Sequence, residues 1–245
     1  MNKIKNHFEE NGYYVAKSLV SVEMISKIFQ QIDQLLDMAL KLNKLDAKVF
    51  QSLDEKYMFI KKHNPAIKSH VYDLIRHLDG VLYVSTLPTL IKIIKELTNS
   101  SLLLDGTQLR INDNENDSLI PFHQEIKNTF SDKCITAWIP LVDLTKEGGA
   151  LRFIPKSHKQ GYVRHTIIDG YPAMDEENID PSKVEYACLN KGDALIFHRY
   201  LYHASTPNHS SQIRWTFITR YSPFDEIPYL ENGTAPIRVP YPGYE

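Results

Sequence analysis

Residues 192–221, with the sequence GDALIFHRYLYHASTPNHSSQIRWTFITRY, contain two apolar segments separated by a polar one. The first segment, residues 193–198, is largely apolar, and the second, residues 216–221, is β-branched and aromatic, so both predict strands. The part between them is rich in Ser, Asn and Pro, which is typical of turns. The stretch therefore predicts two strands joined by a turn that carries His203 and ends at Arg214.

A second polar motif, His123-Gln124-Glu125, lies earlier in the chain. On an extended segment, residues i and i+2 face the same side, so His123 and Glu125 are expected to point into one space while Gln124 points away or to the rim. With one distant histidine they form the two-histidine, one-carboxylate set that suits non-haem Fe(II) and leaves coordination positions open for substrate and oxygen. His198 and His203 both lie in the central stretch, so the residues alone leave the third ligand open.

Two interpretations fit Arg214. A guanidinium presents a fixed fork of donors that matches a carboxylate, and a buried one requires an anion because an unpaired buried charge is costly. At the start of the last strand, Arg214 could face the interior beside a metal and bind a small diacid, with the hydroxyl of Ser205 adding a contact. Alternatively, Arg214 is a surface residue of the strand that pairs with a nearby carboxylate.

The composition favours a globular chain. The 245 residues fit one large domain or two small ones, and a hydrophobic content of 42% suffices for a core. The net charge of −2 gives no reason to expect a nucleic acid or an anionic membrane surface as partner. No segment resembles a signal peptide or a membrane span, which predicts a cytoplasmic protein. Two cysteines, Cys134 and Cys188, have apolar neighbours and are expected to be buried free thiols.

The order of patterns along the chain predicts helices first and strands later. Apolar residues recur at helical spacing over residues 25–39, with Ser21 as the N-cap, and further helices are expected over residues 66–78 and from Pro88. Residues 43–65 show no clear pattern. From residue 101 the period falls towards two. We expect strands near 102–111, 119–125, 133–143, 149–155, 162–168, 184–189, 193–198 and 214–221.

Eight short strands preceded by helices predict a mainly β fold, a double-sheet jelly roll with the N-terminal helices packed on one sheet. We expect a single domain over residues 1–245. Its parts are a helical region over residues 1–100, a jelly-roll core over 101–221 and an irregular tail over 222–245. The acidic segment 169–183 is expected to be a loop.

Further short motifs accompany these residues. They are Ala137-Trp138-Ile139-Pro140-Leu141, Gly148-Gly149-Ala150-Leu151, Ile154-Pro155-Lys156-Ser157-His158-Lys159, Gly192-Asp193-Ala194 and His203-x-Ser205 with Asn208, Ser210 and Arg214. Together with the His123 motif, they resemble the phytanoyl-CoA dioxygenase family of Fe(II)- and 2-oxoglutarate-dependent oxygenases. The resemblance covers most of the chain, and residues 43–100 and the tail match least. It implies that the jelly roll is a double-stranded β-helix of the cupin-like kind.

The resemblance implies a metal site for Fe(II) formed by His123, Glu125 and His203. It favours His203 over His198, which then packs beside the site or supports the ligands. The family usually has aspartate where this chain has Glu125. Family members that halogenate have a small residue there instead, so Glu125 argues against halogenation.

The resemblance also implies a 2-oxoglutarate cosubstrate and dioxygen. Arg214 and Ser205 would hold the far carboxylate of 2-oxoglutarate, and Gln124 and Trp138 match family positions that line the cosubstrate and substrate pocket. The implied reaction hydroxylates an unactivated C–H bond and releases succinate and CO2.

Four further residues are expected to contact a small-molecule substrate. Lys127 and Asn128 follow the metal motif, and Arg110 and Arg152 lie on expected strands beside the pocket. These side chains favour a small polar or anionic molecule. Two other functions share part of the pattern: a catalytically inactive jelly-roll module that binds a metal or ligand, and a zinc hydrolase. The His-Glu-x-x-His helix motif common in hydrolytic zinc sites is absent from the sequence.

Overall fold

The computed structural model describes residues 3–45, 49–115, 119–126, 129–168 and 170–227. Within these ranges the helices are α1 (Lys3–Asn11), α2 (Val22–Leu42), α3 (Leu53–His63), α4 (Pro65–Ile75), α5 (Asp79–Ser85) and α6 (Pro88–Thr98). The strands are β1 (Tyr13–Ala16), β2 (Leu102–Asn112), β3 (Ile135–Pro140), β4 (Arg152–Ile154), β5 (Thr166–Ile168), β6 (Tyr171–Ala173), β7 (Glu185–Tyr186), β8 (Ala194–His198), β9 (Tyr202–Ala204) and β10 (Arg214–Pro223).

Side-chain caps and prolines fix where the helices begin. As predicted, Ser21 caps α2, and its hydroxyl accepts a hydrogen bond from the backbone N–H of Met24 at 3.2 Å. The predicted starts at residue 66 and Pro88 are confirmed within one residue, because α4 and α6 both begin with a proline in the first turn. Helix α3 was not predicted, because its apolar face is weakly patterned.

The strands form two main antiparallel sheets. The larger sheet has the order β1-β8-β3-β10-β2, the smaller one has the order β7-β4-β9, and β5 and β6 form a separate hairpin. A hydrophobic cluster contains side chains of both sheets, including Trp138 of β3, Phe153 of β4 and Ile218 of β10. This arrangement is the predicted jelly roll.

The helices cover the other face of the larger sheet. Trp215 of β10 is buried, and its indole N–H donates to the Asp54 carboxylate of α3 at 2.9 Å. The rings of Phe29 and Tyr57 meet Trp215 edge-on, with centroids 5.9 and 5.5 Å away. The larger sheet therefore has one face towards the helices and one towards the smaller sheet, where its polar residues can form a site.

The structure corrects the expected hairpin in residues 192–221. Strands β8 and β10 exist as predicted, but each pairs with β3 rather than with the other. The segment between them contains β9, which belongs to the smaller sheet and carries His203. Sequence patterns missed β9 because it has only three residues.

Three other expectations are wrong in part. Residues 119–125 do not form a strand and make only an isolated bridge between His123 and His203. The acidic segment 169–183 contains β6 and two short 3-10 turns as well as loop. Both cysteines are free, but only Cys134 is buried, whereas Cys188 is exposed. Most of the expected irregular tail, from residue 228 onwards, lies outside the described residues.

Candidate metal centre and its cavity

Three side chains that could hold a metal ion converge between the sheets. One potential ligand atom from each of His123, Glu125 and His203 lies within 4.8 Å of the other two. The convergence follows from the backbone, because His123 N donates to His203 O at 3.0 Å and His203 N donates to His123 O at 3.1 Å. This bridge places the two imidazoles side by side, with ring centroids 4.2 Å apart.

Each histidine is held by a hydrogen bond that leaves Nε2 free. The Nδ1 atom of His123 lies 2.8 Å from the carbonyl oxygen of Pro121, and that of His203 lies 2.9 Å from the carbonyl oxygen of Leu201. A carbonyl only accepts, so each Nδ1 carries the proton and each Nε2 offers a lone pair, as metal-binding histidines require. Burial, assisted by the nearby His203, lowers the pKa of His123 to about 3, which keeps its imidazole neutral near pH 7.

Glu125 is buried and ionised beside Arg220. The guanidinium of Arg220 donates from Nε to Oε2 and from Nη2 to Oε1 of Glu125, both at 2.9 Å. The Oε1 atom also lies 3.7 Å from Nε2 of His203. Burial opposes ionisation, but the positive charge of Arg220 and its hydrogen bonds outweigh it and hold the pKa of Glu125 well below its usual value.

Arg214 is a buried cation that has no carboxylate partner among the residues that the structure describes. Its guanidinium donates to the carbonyl oxygen of Gly149 and, at 2.7 Å, to Oδ1 of Asn112. Gly149 has φ of +81°, and a Cβ atom there would lie 3.0 Å from Nη1 of Arg214, so a glycine is needed for this approach. Burial and the nearby Arg110 lower the pKa of Arg214 to about 10, which still leaves it charged.

The three potential metal ligands and Arg214 lie in one cavity between the sheets. Three other residues singled out by the sequence, Trp138, Ser205 and Arg110, line the same cavity. The remaining lining residues include Gln108, Asn112, Ile120, Leu151, Phe197, Ile218 and Arg220. The cavity thus combines a potential metal site, a buried arginine and apolar walls.

Gln124 faces away from this cavity. Its Nε2 atom donates to the carbonyl oxygens of Gly161 and Tyr200 at 2.7 and 3.0 Å, and its Oε1 atom accepts from Val163 N at 3.0 Å. The side-chain amide is therefore occupied in holding the segment before β5. The structure does not bring Gln124 to the place where a cosubstrate would contact it.

Two of the four expected substrate residues can be placed. Arg110 lines the cavity. Arg152 is not among the lining residues; it pairs with Glu176 at 2.9 Å and stacks on the ring of Phe122, with its guanidinium carbon 4.6 Å from the ring centroid. Lys127 and Asn128 lie outside the described residues.

The sequence analysis missed Arg220. Residues 214, 218 and 220 of β10 all line the cavity, as alternation along a strand requires once Arg214 is taken to face inwards. That alternation was the available signal. The partner of Arg220, Glu125, comes from a distant part of the chain and gives no local signal.

The described residues fit both groups that the family resemblance implies. Two imidazole Nε2 atoms and one carboxylate oxygen are the donor set of a facial Fe(II) site. A buried arginine without a carboxylate partner in the described part of the chain fits an anionic cosubstrate. Zinc accepts the same donors, but a zinc site gives Arg214 no role.

His198 lies apart from the cluster and affects stability. Burial, with smaller effects of the nearby His158 and Arg199, lowers the pKa of His198 to about 4. Its Nδ1 atom accepts a hydrogen bond from the backbone N–H of Tyr200 at 3.1 Å. His198 is therefore partly buried and held in its neutral form.

The stability of the fold is expected to decrease below about pH 6.5, the ordinary pKa of histidine. Between that pH and about 4 the unfolded chain protonates His198 while the folded chain does not. The stabilisation is thus present above pH 6.5 and lost as the pH falls, by up to roughly 1.4 kcal/mol per pH unit for one histidine. The free energy of unfolding, measured by urea unfolding at several pH values, should change less steeply with pH for His198→Gln than for the parent. His63→Gln, at an exposed position, should keep the parent slope, and an equal slope for all three proteins would contradict the expectation.

In the described part of the chain, no helix combines the length and the apolar character needed to cross a membrane.

Comparisons with known proteins agree with the geometry of the site. A family model described as phytanoyl-CoA dioxygenase matches residues 8–216. The matched region contains His123, Glu125, His203 and Arg214, and it ends within β10 before Arg220. It thus includes the whole potential ligand set.

A sequence relative and two solved structures extend the comparison. The 1-deoxypentalenic acid 11-beta-hydroxylase of Streptomyces arenae is 25% identical over 240 residues, which cover 88% of this chain and 79% of the relative. The non-heme monooxygenase ThoJ has the same fold, with a TM-score of 0.67 at 17% identity over 90% of this chain and 77% of its own. The epimerase SnoN, solved with Fe3+, alpha ketoglutarate and nogalamycin RO, gives a TM-score of 0.60 at 16% identity over 90% and 82% of the two chains.

Proposed function

The chain belongs to the phytanoyl-CoA dioxygenase family of Fe(II)- and 2-oxoglutarate-dependent oxygenases, and on that basis we propose that it hydroxylates an unactivated C–H bond of a small anionic molecule, with release of succinate and CO2. The observation that carries the proposal is Arg110. This cation lines the cavity close to Arg214 and has no carboxylate partner among the described residues.

We assign His123, Glu125 and His203 as the ligands of Fe(II). The support is the pair of free Nε2 atoms and the ionised carboxylate, all within 4.8 Å. When bound, Fe(II) together with 2-oxoglutarate would supply the activation of dioxygen that hydroxylation of an unactivated C–H bond requires. The protein contributes the position of the three ligand atoms. The bonds to Pro121 O and Leu201 O orient the two imidazoles before any metal arrives, and Arg220 holds the carboxylate of Glu125.

We assign Arg214 and Ser205 to the far carboxylate of 2-oxoglutarate. Arg214 is charged, buried and without an anionic partner in the described chain, so a carboxylate in the cavity would remove the cost of its burial. Ser205 lines the same cavity and offers a hydroxyl donor. The apolar side chains of Trp138 and Ile218 form part of the wall and exclude water from this region.

The charges of the cavity favour an anionic substrate. Arg220 and Glu125 neutralise each other, which leaves Arg110 and Arg214 as the surplus cations among the lining residues. A divalent metal ion adds further positive charge, and 2-oxoglutarate brings only two carboxylates. Arg110 therefore remains for a negative group of the substrate, such as a carboxylate or phosphonate. The name of the Streptomyces arenae relative, a hydroxylase of an acid, supports the same class.

The experiment that tests this function begins with anaerobic addition of Fe(II) and 2-oxoglutarate to the apoprotein. The weak visible band of the iron–2-oxoglutarate chelate is expected to appear. Small carboxylic and phosphonic acids, each beside its neutral amide or ester, are then screened for substrate-dependent succinate formation in air. Acids are expected to stimulate succinate formation, and the matched neutral compounds are not.

Arg110→Gln is expected to raise KM for an acid substrate about 10- to 100-fold, since a hydrogen bond to a charged group is worth roughly 1.5–3 kcal/mol. Succinate formed without substrate should change little. Arg152→Gln, at an arginine outside the cavity lining, serves as the matched control. Neutral compounds that perform as well as acids, or an unchanged KM in Arg110→Gln, would contradict the anionic substrate. Binding of both cofactors without any succinate would instead indicate a binding module.

A further inference from the structure

Glu125 differs from the aspartate usual at its position by one methylene, and it is the one potential ligand held by a side chain rather than by a carbonyl. Both of its oxygens accept hydrogen bonds from Arg220 at 2.9 Å. Both histidines instead donate from Nδ1 to carbonyl oxygens of the backbone. The orientation of the carboxylate therefore depends on another side chain, whereas that of the two imidazoles depends on the backbone.

The contact with Arg220 orients Glu125 but leaves lone pairs of its carboxylate available to a metal ion. An ionised carboxylate has about four lone-pair positions, and the fork of Arg220 uses one on each oxygen. The Oε1 atom keeps a further lone pair and lies 3.7 Å from Nε2 of His203. The arginine thus leaves one oxygen of Glu125 available at the side where the histidines offer their own lone pairs.

A β-bulge lies at Arg220. In the pairing of β10 with β2, Arg220 lies opposite Gly106 and Tyr221 lies opposite Leu104, which leaves Asp105 as the extra residue. The carboxylate of Asp105 accepts from Ser222 Oγ at 2.6 Å. Bulges beside active sites commonly re-aim side chains.

Arg220 is held by Glu125. Burial opposes its charge, but Glu125 outweighs burial and raises the pKa of Arg220. Its side chain is only 17% exposed. A largely buried guanidinium that donates to both oxygens of one carboxylate has little freedom to release Glu125.

We propose that Arg220 is a positioning residue for the metal site, and that the Glu125–Arg220 pair acts as a unit in place of a lone carboxylate ligand. The inference rests on the proposed ligand set. A glutamate has one more rotatable bond than an aspartate, so a metal that binds it must order a more flexible side chain. The two hydrogen bonds from Arg220 restrict that extra rotation before a metal binds. An aspartate at position 125 would be too short to keep both bonds and its place near the histidines.

The test measures Co(II) binding, by calorimetry and by the visible d–d absorption, to the full chain and to three variants. We expect Arg220→Lys and Glu125→Asp each to weaken Co(II) binding at least tenfold and to change the absorption spectrum. Lysine keeps the charge but cannot hold both oxygens as the fork of arginine does. The double variant is expected to bind no more weakly than the weaker single variant, because both changes disrupt one unit.

Arg152→Lys is the matched control, because Arg152 also pairs with a glutamate at 2.9 Å but is not among the residues that line the cavity. It should keep the parent affinity and spectrum. Thermal unfolding of each variant shows that it is folded. Arg220→Gln provides a second variant if Arg220→Lys unfolds.

Three results would overturn the inference. They are parent-like Co(II) binding in Arg220→Lys, tighter binding in Glu125→Asp, and tighter binding in any Arg220 variant, which would show that the arginine competes with the metal. A parent chain that binds neither Co(II) nor Fe(II) would instead refute the ligand set itself, and the inference with it. The parent measurement therefore separates failure of the ligand set from failure of the pair.

Discussion

His203→Ala is expected to abolish iron-dependent turnover of 2-oxoglutarate. The change removes one of two imidazole ligands, and loss of even an outer partner of a ligand costs 10- to 100-fold in metal affinity or activity. We expect Fe(II) affinity to fall by more than about 100-fold. Succinate formation should fall to the level of the metal-free protein. His123→Ala should behave in the same way, because both Nε2 atoms face the same space.

The fold is expected to survive this change. The hydrogen bonds that join residues 123 and 203 run between backbone atoms, so alanine keeps them. Far-ultraviolet circular dichroism and thermal unfolding should therefore remain close to those of the parent. This result would separate loss of the metal from loss of the structure.

Two other histidines of the same stretch serve as controls. His209 is exposed and contacts the fold through its backbone. His198 is partly buried and is not among the residues that line the cavity. His209→Ala and His198→Gln should both keep the parent affinity for Fe(II). Loss of iron binding in His198→Gln with retention in His203→Ala would show that the third ligand has been assigned to the wrong histidine.

Arg214→Gln is expected to weaken 2-oxoglutarate binding about 100-fold while leaving the metal affinity nearly unchanged. A charged hydrogen bond contributes roughly 1.5–3 kcal/mol, and the proposal gives Arg214 the main contact with the far carboxylate. The chelate band should disappear at cosubstrate concentrations that saturate the parent. Arg214→Lys should recover only part of the affinity, because an ammonium cannot bind a carboxylate with two parallel bonds.

Although Arg214→Gln is expected to weaken 2-oxoglutarate binding, it should not lower the unfolding temperature of the ligand-free protein. Arg214 is buried with no carboxylate partner in the described chain, so its charge is a cost when no cosubstrate is bound. The variant without ligands is expected to unfold at the parent temperature or above it. With Fe(II) already bound to both proteins, 2-oxoglutarate at a concentration that saturates the parent should raise the unfolding temperature of the parent far more than that of the variant. A variant that 2-oxoglutarate stabilises as much as the parent would exclude this role for Arg214.

Local spacing allowed much of the fold and of the site to be predicted. The long helix α2 shows a clear 3.6-residue period, and β8 and β10 are apolar runs of adequate length. His123 and Glu125 could be grouped because a separation of two residues has a fixed meaning on an extended segment. The approach of His203 to them was implied only by the family resemblance.

The features that were missed depend on contacts between distant residues. Strand β9 is three residues long and is defined by its pairing with β4. Arg220 acquires its role from Glu125, which lies ninety-five residues away along the chain. Gln124 turns from the cavity because backbone groups of residues 161, 163 and 200 satisfy its amide. No local pattern carries such information.

The backbone bridge between His123 and His203 also bears on how this site can change over evolutionary time. Because main-chain atoms hold the two imidazoles together, substitutions elsewhere in the cavity scarcely alter the spacing of that pair. The carboxylate vertex depends on side chains, one from the metal motif and one from β10. We therefore expect the carboxylate position to vary more readily than the two histidines, provided that a partner residue changes with it. Related sequences with glutamate at the position of Glu125 should tend to keep an arginine at the position of Arg220, six residues after Arg214.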